Sequence, residues 1–160
     1  MKKLILLTVI LLAGICTAQS IQEVSNFSKI KIDTDAQVEI VYSLKNKVLI
    51  NKDVPDLSIT TEGKSLRIKQ HSNAKIEGLK IRIYTNELTA LSVTGDTRVT
   101  LSKFKYQNKM VVLVQQGAIV DTGDTEIKDL QIIRSDDSKV IATKAKNKKE
   151  TVNGVLVAFN

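Results

Sequence analysis

With 160 residues, 42% hydrophobic and 26% charged, the chain has the size and apolar content of one folded domain, not of a disordered segment. Six aromatic residues, no tryptophan and a single proline require a core built from Val, Ile and Leu. One cysteine excludes a disulfide framework, one histidine argues against a histidine metal cage, and the formal net charge of +7 is a mild basic excess.

The first element in chain order is an export leader. Lys2 and Lys3 precede an apolar run from Leu4 to Ile15, and Cys16-Thr17-Ala18 places small residues at −3 and −1 of a cut before Gln19. A run of this length is too short to cross ~30 Å of hydrocarbon as a helix. Residues 1–18 are therefore expected to be a cleaved signal peptide, and residues 19–160 a single mature domain with no transmembrane span. Cys16 offers a second reading as a lipoprotein acylation site, but Ile15 stands where a small residue is normally required. Loss of Lys2 and Lys3 with the leader leaves 22 basic and 17 acidic residues, a net charge of +5. A mature chain without cysteine suits an oxidising compartment. The expected location is the periplasm, the outer-membrane surface or the medium.

From residue 27 onward the apolar residues recur at every second position. Ile30/Ile32, Val38/Ile40, Leu57/Ile59, Leu66/Ile68 and Leu79/Ile81/Ile83 are followed by Leu91/Val93, Val99/Leu101, Leu130/Ile132 and Val155/Val157/Phe159. This period places one side of a strand in a core and the other in water. Turn residues fall between the runs, among them Pro55-Asp56, Glu62-Gly63, Gly95-Asp96, Gly123-Asp124 and Asn153-Gly154. The fold class is all-β.

Four segments share one layout, with apolar residues eight positions apart around a turn-rich middle. They begin and end at Ile30/Val38, Leu91/Val99, Val112/Val120 and Ile132/Val140. Their starts lie 61, 21 and 20 residues apart, close to three periods and then one and one. A period near twenty is what one coil of a β-solenoid requires, and such coils bury their apolar faces only by stacking. A β-sandwich is the competing architecture. In either case Ile30, Leu91 and Ile132 are expected to face inward, with Lys31, Ser92 and Arg134 outward. The last strand, Val155 to Phe159, is apolar on both faces and is expected to be buried on both sides. The lysine-rich stretch before it reads as a solvated connection.

Two stretches resemble a known family. Val24-Ser-Asn-Phe27-Ser-Lys-Ile30-Lys-Ile32, followed by Val38-Glu-Ile40, has the form of its entry strand pair. The rung Leu88-Thr-Ala-Leu91-Ser-Val93-Thr-Gly95-Asp-Thr-Arg-Val99-Thr-Leu101 has its strand, glycine turn and second strand. On these motifs the chain, from residue 24 to about 157, is similar to the GIN domain, the head domain of auto-transporter adhesins found in exported Bacteroidetes proteins. Asp136-Asp137 departs from the glycine turn at the third rung, and a glycine-rich close at the C-terminus is lacking. The resemblance implies a right-handed parallel β-helix or related stack at the cell envelope and supplies no catalytic residue.

The chemistry-bearing residues point the same way. His71 lies in the polar segment Gln70-His71-Ser72-Asn73, away from a recognisable nucleophile, and reads as an exposed turn residue. Asp121, Asp124, Asp129, Asp136 and Asp137 are dense in the last third, but they fall mainly at turns, where Asp bonds to backbone amides. No cofactor or metal is expected, and Asn26-Phe27-Ser28 is a sequon of a kind that arises by chance. Lys139, Lys144, Lys146, Lys148 and Lys149 against Glu150 form the densest charge run. They are a candidate patch for an anionic ligand, or else edge protection for an exposed sheet.

Three functions compete. A non-catalytic exported envelope or surface protein, serving adhesion or scaffolding, fits best, with envelope polysaccharide or another surface protein as partner and no role for nucleic acid. A binding module for anionic glycan or lipid headgroups is second. A glycan-cleaving β-helix enzyme is third, because such enzymes need paired acids and sugar-stacking aromatics.

Overall fold

In a computed structural model, residues 20–159 are described except 73, 75 and 136. The expected signal peptide, its cleavage point and Cys16 lie outside the described residues, as does Asp136. The alternating runs form strands, and no helix occurs among the described residues. Those of the first half are β1 (Ser20–Glu23), β2 (Lys29–Asp33), β3 (Gln37–Tyr42), β4 (Lys47–Ile50), β5 (Leu57–Glu62), β6 (Ser65–Gln70) and β7 (Lys80–Thr85). There follow β8 (Ala90–Thr94), β9 (Arg98–Ser102), β10 (Tyr106–Val114), β11 (Ile119–Asp121), β12 (Glu126–Arg134), β13 (Lys139–Ile141), β14 (Ala145–Val152) and β15 (Val155–Phe159).

The strands divide between two mixed sheets. One has the order β1-β4-β7-β3-β9-β11-β13 and the other β15-β14-β12-β10-β8-β2-β6-β5. Pairing is parallel from β7 to β13 and from β14 to β6, with antiparallel strands at the edges. From β8 to β14 the chain alternates between the sheets, so each sequence period contributes one strand to each.

The repeat is borne out residue by residue. Leu91 lies opposite Ile30 and Val112, and Val112 opposite Ile132. In the other sheet Val99 lies opposite Val38 and Val120, and Val120 opposite Val140. Ile30, Leu91, Val112 and Ile132 are all buried, in one core cluster to which both sheets contribute. Inward aliphatics in straight rows fill the space between the sheets, with Phe27 and Phe104 as the buried rings.

The 61-residue offset, however, is a single step in space and not three. After β3 the chain turns to one flank of the β2–β3 pair and lays down β4 to β7 there. It then crosses to the opposite flank, where β8 pairs β2 and β9 pairs β3.

Two expectations for the C-terminal end are corrected. The lysine-rich stretch is not a solvated connection, because residues 145–152 form β14 in full parallel register with β12. The last strand is not buried on both sides either. It is the sheet edge, paired only with β14, and Val155, Leu156 and Val157 are 65%, 53% and 56% exposed. An all-apolar strand has the same composition whether it lies in a core or at an uncovered edge. Val157→Lys is therefore expected to leave the thermal midpoint within about 1–2 °C of wild type, as for other surface changes, and to suppress edge-to-edge association in light scattering.

Candidate functional site

The predicted lysine patch is divided by the fold. Lys139 opens β13 in the seven-stranded sheet, whereas Lys146, Lys148 and Lys149 belong to β14 in the eight-stranded sheet. Lys144 lies in the turn between them, with Nζ 2.9 Å from Asp124 Oδ1, and that carboxylate raises its pKa. Lys139, Lys146 and Lys149 are exposed.

Lys148 has a different role. It lies opposite inward-facing Leu130, and Glu150 lies opposite inward-facing Ile132, so β14 presents charges along the rows that aliphatics occupy elsewhere. Arg134 extends the inward row of Val93 and Val114, which corrects its expected outward orientation. Glu150 Oε1 accepts from Arg134 Nε at 2.7 Å, and Oε2 lies 2.8 Å from Lys148 Nζ. Arg134 also donates to the carbonyls of Ser135 and Ser138 at 3.3 and 3.1 Å. This three-charge network closes the C-terminal end of the core, where β14 has charges in place of inward aliphatics.

Burial pushes the Glu150 carboxyl up, but Lys148 and Arg134 outweigh it and hold the group below its ordinary pKa. A depressed folded-state pKa means that the unfolded chain binds the proton more readily. The stabilisation is therefore present above the ordinary carboxylate range and is lost as pH falls through it. Glu150→Gln is expected to melt below wild type at pH 7, with the gap narrowing as pH falls below the ordinary carboxylate range in a pH series of thermal melts.

The remaining candidate groups are locally engaged. His71 Nε2 lies 3.0 Å from the Ser58 hydroxyl. Asp121 accepts from the Gly123 amide at 2.9 Å, Asp129 accepts from Asn147 at 2.6 Å, and Asp137 accepts from Ser135 and Ser138. Among the described residues no group of three His, Cys, Asp or Glu side chains could hold a metal ion. Nor is any helix there long and apolar enough to cross a membrane.

A further polar concavity lies elsewhere, on the outer face of the seven-stranded sheet. It is a groove of about 500 Å³ over β4, β7, β3 and β9, lined among others by Gln37, Glu39, Lys80, Arg82, Arg98 and Thr100. Arg82 Nε donates to Glu39 Oε2 at 2.7 Å, and the Ser102 hydroxyl donates to Glu39 Oε1 at 2.8 Å. Partial burial raises the Glu39 pKa, but Ser102 and Arg82 together lower it below its ordinary value. The groove thus holds three cations and one carboxylate that is already satisfied.

Individual motifs do not reveal this groove, but the repeat contains its signature. Gln37, Arg98, Ile119 and Lys139 each precede the second apolar anchor of a repeat, and Lys80 likewise precedes Ile81. Register places these residues in one row across β7, β3, β9, β11 and β13.

Comparison with known proteins agrees with this architecture. A protein from Parabacteroides distasonis described as a putative lipid binding protein shares the fold with a TM-score of 0.69 at 20% identity, over 80% of this chain and 58% of its own. A putative adhesin from the same organism gives 0.59 at 13% identity, over 74% of this chain and 56% of its own. A putative adhesin from Bacteroides fragilis gives 0.58 at 14% identity, over 77% and 76%. The chain thus spans little more than half of the first two, and at these identities the likeness shows the fold alone. No functionally curated protein matches the chain. Residues 26–155, nearly the whole described segment, match the family model described as "Putative auto-transporter adhesin, head GIN domain", in agreement with the resemblance carried by the entry strands and the Leu88–Leu101 rung. The chain belongs to that GIN domain family.

Proposed function

We propose that residues 19–160 form one non-catalytic domain, exported after cleavage near Ala18/Gln19, that displays a β-solenoid-like stack at the cell surface for adhesion or scaffolding. The observation that carries the reading is register. Parallel strands paired one residue to one set the outward side chains in straight rows over two broad faces. Straight rows suit extended partners, because a polymer can meet equivalent side chains at each strand. Membership of an adhesin head family and the leader-like N-terminus support the same reading. Alternation of the chain between the sheets from β8 to β14 supports a solenoid in preference to a sandwich, whose neighbouring strands are antiparallel.

The test is made in the native host. Mass spectrometry is expected to find a chain beginning at Gln19, and protease treatment of intact cells to remove it. Deleting the gene is expected to reduce adherence of those cells to a polysaccharide-coated surface. An unprocessed Met1 terminus, or a chain protected in intact cells, contradicts export to the surface. A second reading, an anionic-ligand module on β14, is favoured by the exposure of Lys146 and Lys149 there.

A further inference from the structure

On the outer face of the seven-stranded sheet the cations recur at a fixed interval. Lys80 on β7, Arg98 on β9 and Lys139 on β13 share one row, with Gln37 and Ile119 on the intervening strands. Hydrogen-bonded strands lie ~4.8 Å apart, so the three charges stand at steps of roughly 10 Å along a line across the sheet. All three are exposed, and none is in an ion pair within the described residues. Beside Lys80 and Arg98 the groove adds the paired Arg82 and the hydroxyl of Thr100.

We infer that this row is a binding site for an acidic polysaccharide carrying one carboxylate per disaccharide. The inference deepens the surface-adhesion reading by naming the ligand class and rests on it for biological context. A disaccharide of an extended β-linked glycan advances by about two strand spacings, so successive carboxylates meet successive cations in register. Lysine and arginine make charge-assisted hydrogen bonds to carboxylates. Gln37 and Thr100 supply neutral donors and acceptors for the hydroxyls of the sugar between two charges. The groove has no aromatic lining, whereas single-stranded nucleic acid binds on aromatic stacking platforms. On this face Ile119 and Leu49 are half-buried, and the exposed Ile21 stands opposite Leu49 on the edge strand β1, outside the cation row.

The experiment is calorimetric titration of the purified full chain with hyaluronan fragments, which carry one carboxylate per disaccharide. Polygalacturonate, neutral dextran, a single-stranded oligonucleotide and phosphatidylglycerol vesicles are run in parallel. Hyaluronan is expected to bind tighter than each of these. Its binding should weaken steeply between 0.1 and 1 M salt, as the screening length falls from ~10 to ~3 Å. Lys80→Gln, Arg98→Gln and Lys139→Gln together are expected to weaken binding about tenfold or more with the melting temperature unchanged, and Lys146→Gln with Lys149→Gln to leave it intact. Hyaluronan binding that is absent, or unaffected by the triple change, overturns the inference. So does binding of polygalacturonate that is as tight, which removes the spacing argument. Tighter binding of the oligonucleotide or the vesicles overturns it in favour of that ligand. Cells that adhere while the pure chain binds no polysaccharide leave the adhesion reading standing without this site. Hyaluronan binding through the row by a chain that never reaches the surface has the opposite meaning.

Discussion

Leu91→Ala is expected to lower folding stability by about 2–5 kcal/mol, the usual cost of cutting a large aliphatic side chain to a methyl group in a close-packed core. Leu91 is 1% exposed and sits in the middle of its row, between Ile30 and Val112. Neighbours on both flanks are held by their own ladders, so the cavity has little room to collapse. Lys31→Ser, one position along from Ile30 and on the exposed face, should change stability by no more than about 0.5 kcal/mol. Urea unfolding of the two variants measures the contrast, and equal losses would mean that the inward face has been misassigned.

Gly123→Ala is expected to be the most damaging substitution of a single methyl group. Gly123 turns the chain between β11 and β12 at φ +55, and an added Cβ would come within 2.8 Å of the Leu101 carbonyl oxygen in β9. The left-handed conformation alone costs a residue with a Cβ about 1–2 kcal/mol. Here a backbone collision adds to that, and backbone atoms in a hydrogen-bonded ladder cannot swing aside. Gly63, also at φ +55 but with no atom near its added Cβ, isolates the conformational part. Thermal melts should place Gly123→Ala well below Gly63→Ala, at about 2–4 °C for each additional kcal/mol.

How much of this was legible in the chain depended on what each position had to satisfy. Inward positions between two sheets accept little except branched aliphatics, so the two-residue period and the repeat mark the strands and most inward faces. The spacing of Leu91, Val112 and Ile132 marks neighbours, but the 61-residue offset does not reveal that Ile30 and Leu91 are neighbours too. The same reasoning missed β14, because its inward row holds Lys148 and Glu150 and hydropathy no longer alternates. Charges at the end of a stack satisfy each other and not an aliphatic neighbour, and Arg134 was assigned to the wrong face for the same reason. The doubly apolar β15 was misplaced because composition does not reveal which strands have a partner. The basic row on the seven-stranded sheet was present in the repeat as the residue before each second anchor. It becomes a row only when register is known, since Lys80 and Arg98 belong to strands on opposite flanks of β3. The lysine run is divided between two sheets because the chain crosses from β13 to β14 between Lys139 and Lys146.

The central position of the β2–β3 pair has a kinetic consequence. Its contacts with β8 and β9 join residues 61 apart, whereas the later contacts, β8 with β10 and β10 with β12, join residues 21 and 20 apart. Closing the longer loop costs about 1 kcal/mol more in chain entropy, which makes it the slower of these closures. Folding should therefore have one slow step, the meeting of Ile30 with Leu91, and faster zippering of the short-period strands β8, β10 and β12. A chain emerging from its N-terminus would keep one flank of β2 open until residue 94 had appeared, and only then could the rest assemble in order of synthesis.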